Sequence, residues 1–312
     1  MGAYGGLGNV TWGNESVCLR LPGFDVRFSG LSVTQKEQLA ADFLDFELSD
    51  PLTQQAHNPA QLMCDVHRLN TPLTTSADSL ERDGQYSPLK ERVSDGIEIT
   101  GVNFKAHFGS DKEGISQAWL GVEHENEFAQ AIVVENFLRI YAAHNALAHK
   151  GVLLHSAGLV FDHQAYIFVG RSGVGKTTLT RKAYRFGATV LSDDINLVMP
   201  SDSGFNAYKV PFTGEFGRTV EHTNVAASFP IKAIILLEQG DSIRASFSTA
   251  SFAVSRLIAG SPFVNTDERE IDALFDIYTN LVSKLPIIKL SIPYQCEINA
   301  VMRPIYELVN YE

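Results

Sequence analysis

Cysteine, excess positive charge and long apolar runs are all scarce in this 312-residue chain. Cys18, Cys64 and Cys296 are odd in number and far apart, which excludes a disulfide framework and the paired spacing of a zinc site. They leave the expectation of buried thiols in a reducing compartment. Lys and Arg number 25 against 36 Asp and Glu, a formal net charge of -11. Such a surface repels a nucleic-acid backbone or an anionic membrane, so neither partner is expected. No stretch approaches the roughly 20 apolar residues that cross a bilayer. The best candidate, Ile231 to Leu237, has the length of a buried strand. Met1 to Asn14 is rich in glycine and lacks a basic segment followed by an apolar one, so no signal peptide is read there and a cytoplasmic location is expected.

What is present is ordinary globular composition, 45% hydrophobic and 20% charged, in a chain long enough for two modest domains. Val17, Leu19 and Leu21, then Phe24, Val26 and Phe28, alternate around Pro22-Gly23 and predict an antiparallel pair with one buried face. Thr34 and Glu37 have capping-box spacing ahead of a short helix. Pro51, Pro59, Pro72 and Pro88 punctuate a loop-dominated stretch that holds one strand, Gln61 to Leu69. Ile97 and Ile99, Val102 to Phe108, and Ala118 to Val122 read as further strands. Residues 1–123 are therefore expected to form an accessory α+β domain. From 125 to 149 there is no Pro or Gly, and Phe128, Ile132, Phe137, Ile140, Tyr141 and Leu147 recur at near-helical intervals, predicting one long bridging helix. Residues 124–312, with that helix, form the second expected domain.

The chemistry concentrates in the second domain. Gly170-Arg171-Ser172-Gly173-Val174-Gly175-Lys176-Thr177 fits G-x-x-x-x-G-K-[ST], in which glycines let backbone N–H groups wrap phosphates at a helix N-terminus. An apolar strand, Ala165 to Val169, precedes it, and a helix-compatible run, Thr178 to Phe186, follows and ends at Gly187. This context predicts a nucleoside triphosphate, ATP or another, bound with Mg2+ by residues 170–178. Lys176 would meet the outer phosphates and the Thr177 hydroxyl would ligate magnesium.

A second apolar strand, Ala188 to Leu191, ends in Ser192-Asp193-Asp194. Ligands of open α/β sheets lie outside the carboxyl ends of strands, so the acids and the glycine loop are expected to share one site. Asp193 is read as the base that accepts a proton from the attacking hydroxyl and Asp194 as a magnesium ligand. Coupling within the pair leaves the exchange of these roles open.

The short connection from Lys176 to Asp193 resembles the HPr kinase/phosphorylase and phosphoenolpyruvate carboxykinase superfamily. Leu153-Leu154-His155-Ser156-Ala157-Gly158 stands where those proteins carry a histidine segment, and Ser192-Asp193-Asp194 where they carry paired aspartates. The resemblance implies an α/β fold with a P-loop kinase domain of the HPr kinase/PEP carboxykinase type, preceded by the N-terminal α+β accessory domain. It implies that His155 lies beside the active centre. Pro211 to Arg218 is similar in order to the family's second loop, which would make Glu215 a second metal ligand and Arg218 a transition-state cation. The N-terminal part is closer to HPr kinase-like proteins of biosynthetic clusters, some of which phosphorylate ribosomally made precursor peptides. The implied activity is therefore a magnesium-dependent serine kinase acting on a hydroxyl of a protein or peptide, with a homo-oligomer left open. A nucleotide-dependent ATPase or switch, and a non-catalytic module that recruits a peptide, are the competing readings. The charge runs Glu123 to Glu127 and Asp267 to Asp272 read as exposed helix starts, and Arg181, Lys182 and Arg185 as residues facing solvent, a sheet edge or a partner.

Overall fold

A computed structural model describes residues 10–47, 60–75, 80–82, 85–110, 116–212, 214–216 and 228–310. The chain is a mixed α/β protein that divides into two compact units, Met1–Tyr141 and Ala142–Glu312.

In the first unit, β1 (Glu15–Leu21) and β2 (Phe24–Leu31) form the hairpin that the alternation around Pro22-Gly23 predicts, with Leu21 opposite Phe24. Helix α1 (Val33–Asp42) then crosses over to β3 (Ala60–Arg68), parallel to β2. Its cap is not Thr34. Ser32 Oγ accepts from Gln35 N–H while Gln35 Oε1 accepts from Ser32 N–H, a capping box two residues earlier than expected. That register turns Gln35 and Leu39 inward and leaves Thr34 and Glu37 exposed. A small hairpin, β4 (Glu81–Arg82) and β5 (Gln85–Tyr86), precedes β6 (Leu89–Val93), β7 (Gly96–Gly101), β8 (Phe104–Ser110) and β9 (Ser116–Val122). The main sheet runs β1-β2-β3-β9-β8-β7-β6, parallel on both sides of β3 and antiparallel elsewhere. One face carries Val26 and Phe28, Cys64 and Val66, Phe104 and Ala106, and Leu120, all buried.

The single helix expected over 125–149 is interrupted. The chain makes a 3-10 turn at Glu125–Glu127, a π-helical turn at Ala131–Glu135, and only then α2 (Asn136–Ala148). The reason is geometric. In a regular helix Phe128 and Phe137, nine positions apart, would point to opposite faces. Both are fully buried and both meet Phe28, at ring distances of 6.1 and 6.2 Å, so the backbone winds differently between them.

In the second unit, β10 (Val152–Phe161) and β15 (Ser228–Gln239) are long strands shared between neighbours. β10 pairs first with β13 (Ile195–Ser201), then with β11 (Gln164–Val169) on one side and β12 (Thr189–Ser192) on the other. β15 pairs with β14 (Gly204–Tyr208), then runs parallel to both β11 and β17 (Ile287–Ile292), and β16 (Arg244–Phe247) closes the edge. Helix α3 (Lys176–Arg185) follows β11, and α6 (Ile298–Val309) ends the unit. Leu179 and Ala183 of α3 and Val301 and Ile305 of α6 pack on Leu159, Phe168, Ile235 and Leu290 of the strands. Helices α4 (Ala250–Ala259) and α5 (Glu268–Lys284) pack on each other, joined by the Ser261 and Tyr278 hydroxyls at 2.5 Å. The acidic run before α5 is not simply exposed. Asp267 caps the helix, but Glu270 is buried and lies 3.1 Å from His144 Nδ1.

Because β12 and β11 are both antiparallel to β10, they run in the same direction. Val169 lies opposite Ser156 and Ser192 opposite Gly158, so the two strands end within two residues of each other along β10.

Candidate functional site

Ser156 joins the parts. It is paired with Val169, the last residue before the glycine loop, and its N–H donates to Asp194 O at 2.9 Å. Its hydroxyl donates to Leu154 O, and Asn196 Nδ2 donates to both Ser156 O and Oγ at 2.8 and 3.0 Å. On the acid side, Ser192 Oγ accepts from the N–H of Asp194 and of Ile195, which closes the turn that presents the two carboxylates. Ser156, Ser192 and Asn196 are all fully buried. Ser156 therefore ties the acidic turn after β12 to the part of β10 that pairs with the last strand residue before the glycine loop.

The loop has the backbone its glycines anticipate. Gly173 and Gly175 sit at φ of 74° and 105°, in the left-handed region, and a Cβ on either would meet nothing within 4 Å. Gln239, at the end of β15, donates to Gly173 O at 3.2 Å. Lys176 opens α3 and is buried, its Nζ donating to Gly170 O at 2.8 Å and Arg171 O at 3.2 Å. Burial lowers its pKa to about 8, against the opposing pull of the nearby Asp194 charge. The far end of α3 closes as expected: Gly187 is left-handed, and Ala188 N–H donates to Ala183 O.

The two aspartates face different partners. Asp194, partly exposed, has Oδ1 3.1 Å from Nδ1 of His155 on β10, so His155 stands at the acid pair. Asp193 is buried, and its Oδ1 and Oδ2 accept from the N–H of Gly214 at 2.9 Å and of Phe216 at 3.2 Å. That clasp brings the 214–216 segment, with exposed Glu215, to the end of β12. Arg218 lies outside the described residues. Lys182 does not face solvent freely, since its Nζ donates to Cys296 O at 2.6 Å, and the Arg181 guanidinium lies 5.7 Å above the Phe216 ring.

Several residues of this arrangement escaped the sequence reading: Ser156, Asn196, Gly214 and Phe216. The first two do leave a signal. Each is a polar residue flanked by apolar stretches of a strand, where a buried polar group requires a hydrogen-bonding partner. Gly214 and Phe216 leave none, because their importance comes from contacts with residues some twenty positions away.

These features define a mixed α/β protein whose candidate site lies where a glycine-rich loop and an acidic turn meet at the ends of two like-directed strands. The chain belongs to the family described as SynChlorMet cassette protein ScmC, whose family model matches residues 123–296, more than half of the chain. No curated protein matches it. Among solved structures, it is similar to the Hpr(Ser) kinase/phosphatase from Coxiella burnetii, at 11% identity over 51% of this chain and 95% of that one. The TM-score is 0.29, a superposition too loose to carry a structural conclusion. Among the described residues no helix is long and apolar enough to cross a membrane.

Proposed function

We propose that the protein binds a nucleoside triphosphate with magnesium at the glycine loop and transfers the terminal phosphoryl group to a hydroxyl, as a serine kinase of a protein or peptide would. The observation that carries this reading is the link through Ser156, which pairs with Val169, the residue before the glycine loop, and donates to Asp194 O at 2.9 Å. A glycine turn with no ligand would need neither a buried lysine nor an acid beside it.

The residues present fit such a ligand. Lys176 is a buried cation whose Nζ donates to two backbone carbonyls, and terminal phosphates would supply further negative charge to offset the cost of its burial. Among the described residues, no group of three or more His, Cys, Asp or Glu could hold a metal unaided. Magnesium is commonly held by one or two carboxylates, waters and substrate phosphates. Thr177 and Glu215 are the side chains that would hold it. Magnesium bound with the nucleotide would neutralise charge on the phosphate oxygens.

The geometry favours Asp194, rather than Asp193, as the proton acceptor. Both oxygens of Asp193 already accept backbone N–H groups, whereas Asp194 is partly exposed and shares Oδ1 with His155. With a proton on Nδ1, the imidazole donates to Asp194 Oδ1 and fixes the orientation of this partly exposed carboxylate toward the acceptor hydroxyl. Lys176 stabilises charge on the group in flight.

The test is transfer to the polypeptides encoded in the same cassette, followed by mass spectrometry, with calorimetry of Mg-ATP and Mg-GTP binding alongside. Asp194→Asn should retain nucleotide binding and lose transfer by roughly 10²- to 10⁴-fold. Undiminished transfer removes Asp194 from the chemistry, and absence of nucleotide uptake by the wild type overturns the whole reading.

A further inference from the structure

Asp193 is a carboxylate only 3% exposed, at the end of a strand beside the site, and its surroundings are built to close around it. Two N–H groups from one short segment, Gly214 and Phe216, each take one of its oxygens. There is no room at 214 for a side chain, since a Cβ would sit 2.7 to 2.8 Å from Oδ1, Cγ and Oδ2 of Asp193. The same segment is tied again one residue earlier on the strand, where Ser192 Oγ donates to Phe212 O at 2.7 Å. Its other end rests on α3: the Phe216 ring is edge-on to Tyr184 at 5.8 Å and lies under Arg181.

We infer that Asp193 is a positioning residue whose carboxylate latches Gly214–Phe216 to the end of β12 and so sets the place of Glu215 near the acidic turn. A carboxylate is needed for this because two donors require two acceptors. An asparagine offers one oxygen, and its NH2 would confront the second N–H, leaving a buried donor without a partner. Glycine at 214 is needed because only a bare Cα approaches a carboxylate so closely. The inference rests on the proposed phosphoryl transfer for its kinetic consequence alone; the latch itself exists without nucleotide.

The experiment pairs Asp193→Asn with Gly214→Ala, which keeps the carboxylate and disturbs only the latch. Amide hydrogen exchange by NMR on the ligand-free protein is read first. Both variants should speed exchange at Gly214 and Phe216 by about 10-fold or more, the scale of one hydrogen bond to a charged group, and Asp194→Asn should not. If either variant fails to fold, the wild type still decides: Gly214 and Phe216 amides exchanging at the rate of an unstructured peptide overturn the latch. Transfer is read second. A latch predicts that both variants lower it to a similar degree and that Glu215→Gln lowers it as well. Transfer lost in Asp193→Asn but intact in Gly214→Ala, with its amides loosened, would make Asp193 a direct participant and overturn the positioning role. Because exchange needs no nucleotide, a protein without kinase activity would sink the proposed function and leave the latch standing or falling by itself.

Discussion

Among the described residues of Met1–Tyr141 the buried polar side chains Gln35, His107 and Glu135 are scattered over a helix, a strand and a π-helical turn, within a core of aliphatic and aromatic side chains. In Ala142–Glu312, apart from Ser261 and Glu270 at the α4–α5 pair, the buried polar residues Ser156, Lys176, Thr180, Ser192, Asp193 and Asn196 lie on the middle of β10, the start of α3 and the turn between β12 and β13. Burying polar atoms is unfavourable unless every partner is supplied, so a cluster of them marks a place where precise geometry is kept at the expense of stability. A scattered polar group needs only a local partner, and the first unit is free to be packed for stability. Trp12 and Trp119 both lie in the first unit, so tryptophan emission reports its unfolding.

The largest effect that tests this division comes from Phe28→Ala. Phe28 is fully buried with Phe128 and Phe137 edge-on to it, and its truncation should destabilise the first unit by roughly 3–5 kcal/mol. Urea unfolding followed by tryptophan emission measures it. The nucleotide affinity of the folded protein should stay within about two-fold of wild type, well under one hydrogen bond's worth. A parallel loss of affinity would show that the two units do not divide stability and chemistry in this way.

A somewhat smaller effect of opposite sign is expected at Lys176, where the second unit carries a cation that its own fold disfavours. Its folded pKa of about 8 lies below the ordinary 10.5, so the folded state holds this proton less tightly than the unfolded chain does. The penalty is full below pH 8 and fades between 8 and 10.5, making the ligand-free protein gain stability as pH rises through that window. Lys176→Met should remove the penalty, raising stability at pH 7 by up to about 3 kcal/mol and flattening the pH dependence above 8. The same variant should weaken nucleotide binding by roughly 100-fold through loss of a charge-assisted contact. Thermal melts across pH with and without Mg-ATP read both. A variant that is less stable than wild type at pH 7 would mean that the two carbonyl partners compensate the charge completely.

How much of this was legible in the sequence differs between the units for the same physical reason. Strands with one buried face announce themselves by alternation, and β1, β2, β3, β7, β8 and β9 fall where alternating apolar residues put them. The glycine loop is legible because its chemistry is local: strand, glycines, lysine and helix are contiguous. What stayed hidden depends on distant partners. The break after Phe128 follows from Phe28, a hundred residues upstream, taking rings from both sides of the interruption. The clasp of Asp193 on Gly214 and Phe216 is likewise invisible until β12 and the 214–216 segment are brought together. Even the different partners of the adjacent aspartates could not be read from their order, because those partners come from other strands and segments.

The smallest expected effect sharpens the comparison at its local limit, where the first unit follows capping rules but at a different residue from the one its spacing suggested. Ser32→Ala removes the hydroxyl that accepts from Gln35 N–H at 3.1 Å and should cost about 1 kcal/mol. Thr34→Ala, on an exposed position inside α1, should change stability by no more than about 0.5 kcal/mol. Both are measurable by the same tryptophan-monitored urea transition. The difference between them isolates what the spacing could not decide. Thr34-x-x-Glu37 and Ser32-x-x-Gln35 are both capping-box patterns, and the choice falls to the one that turns Leu39 and Gln35 toward the sheet. Equal losses for the two variants would mean that the helix start is shared between both caps, and that burial of Leu39 does not select the register.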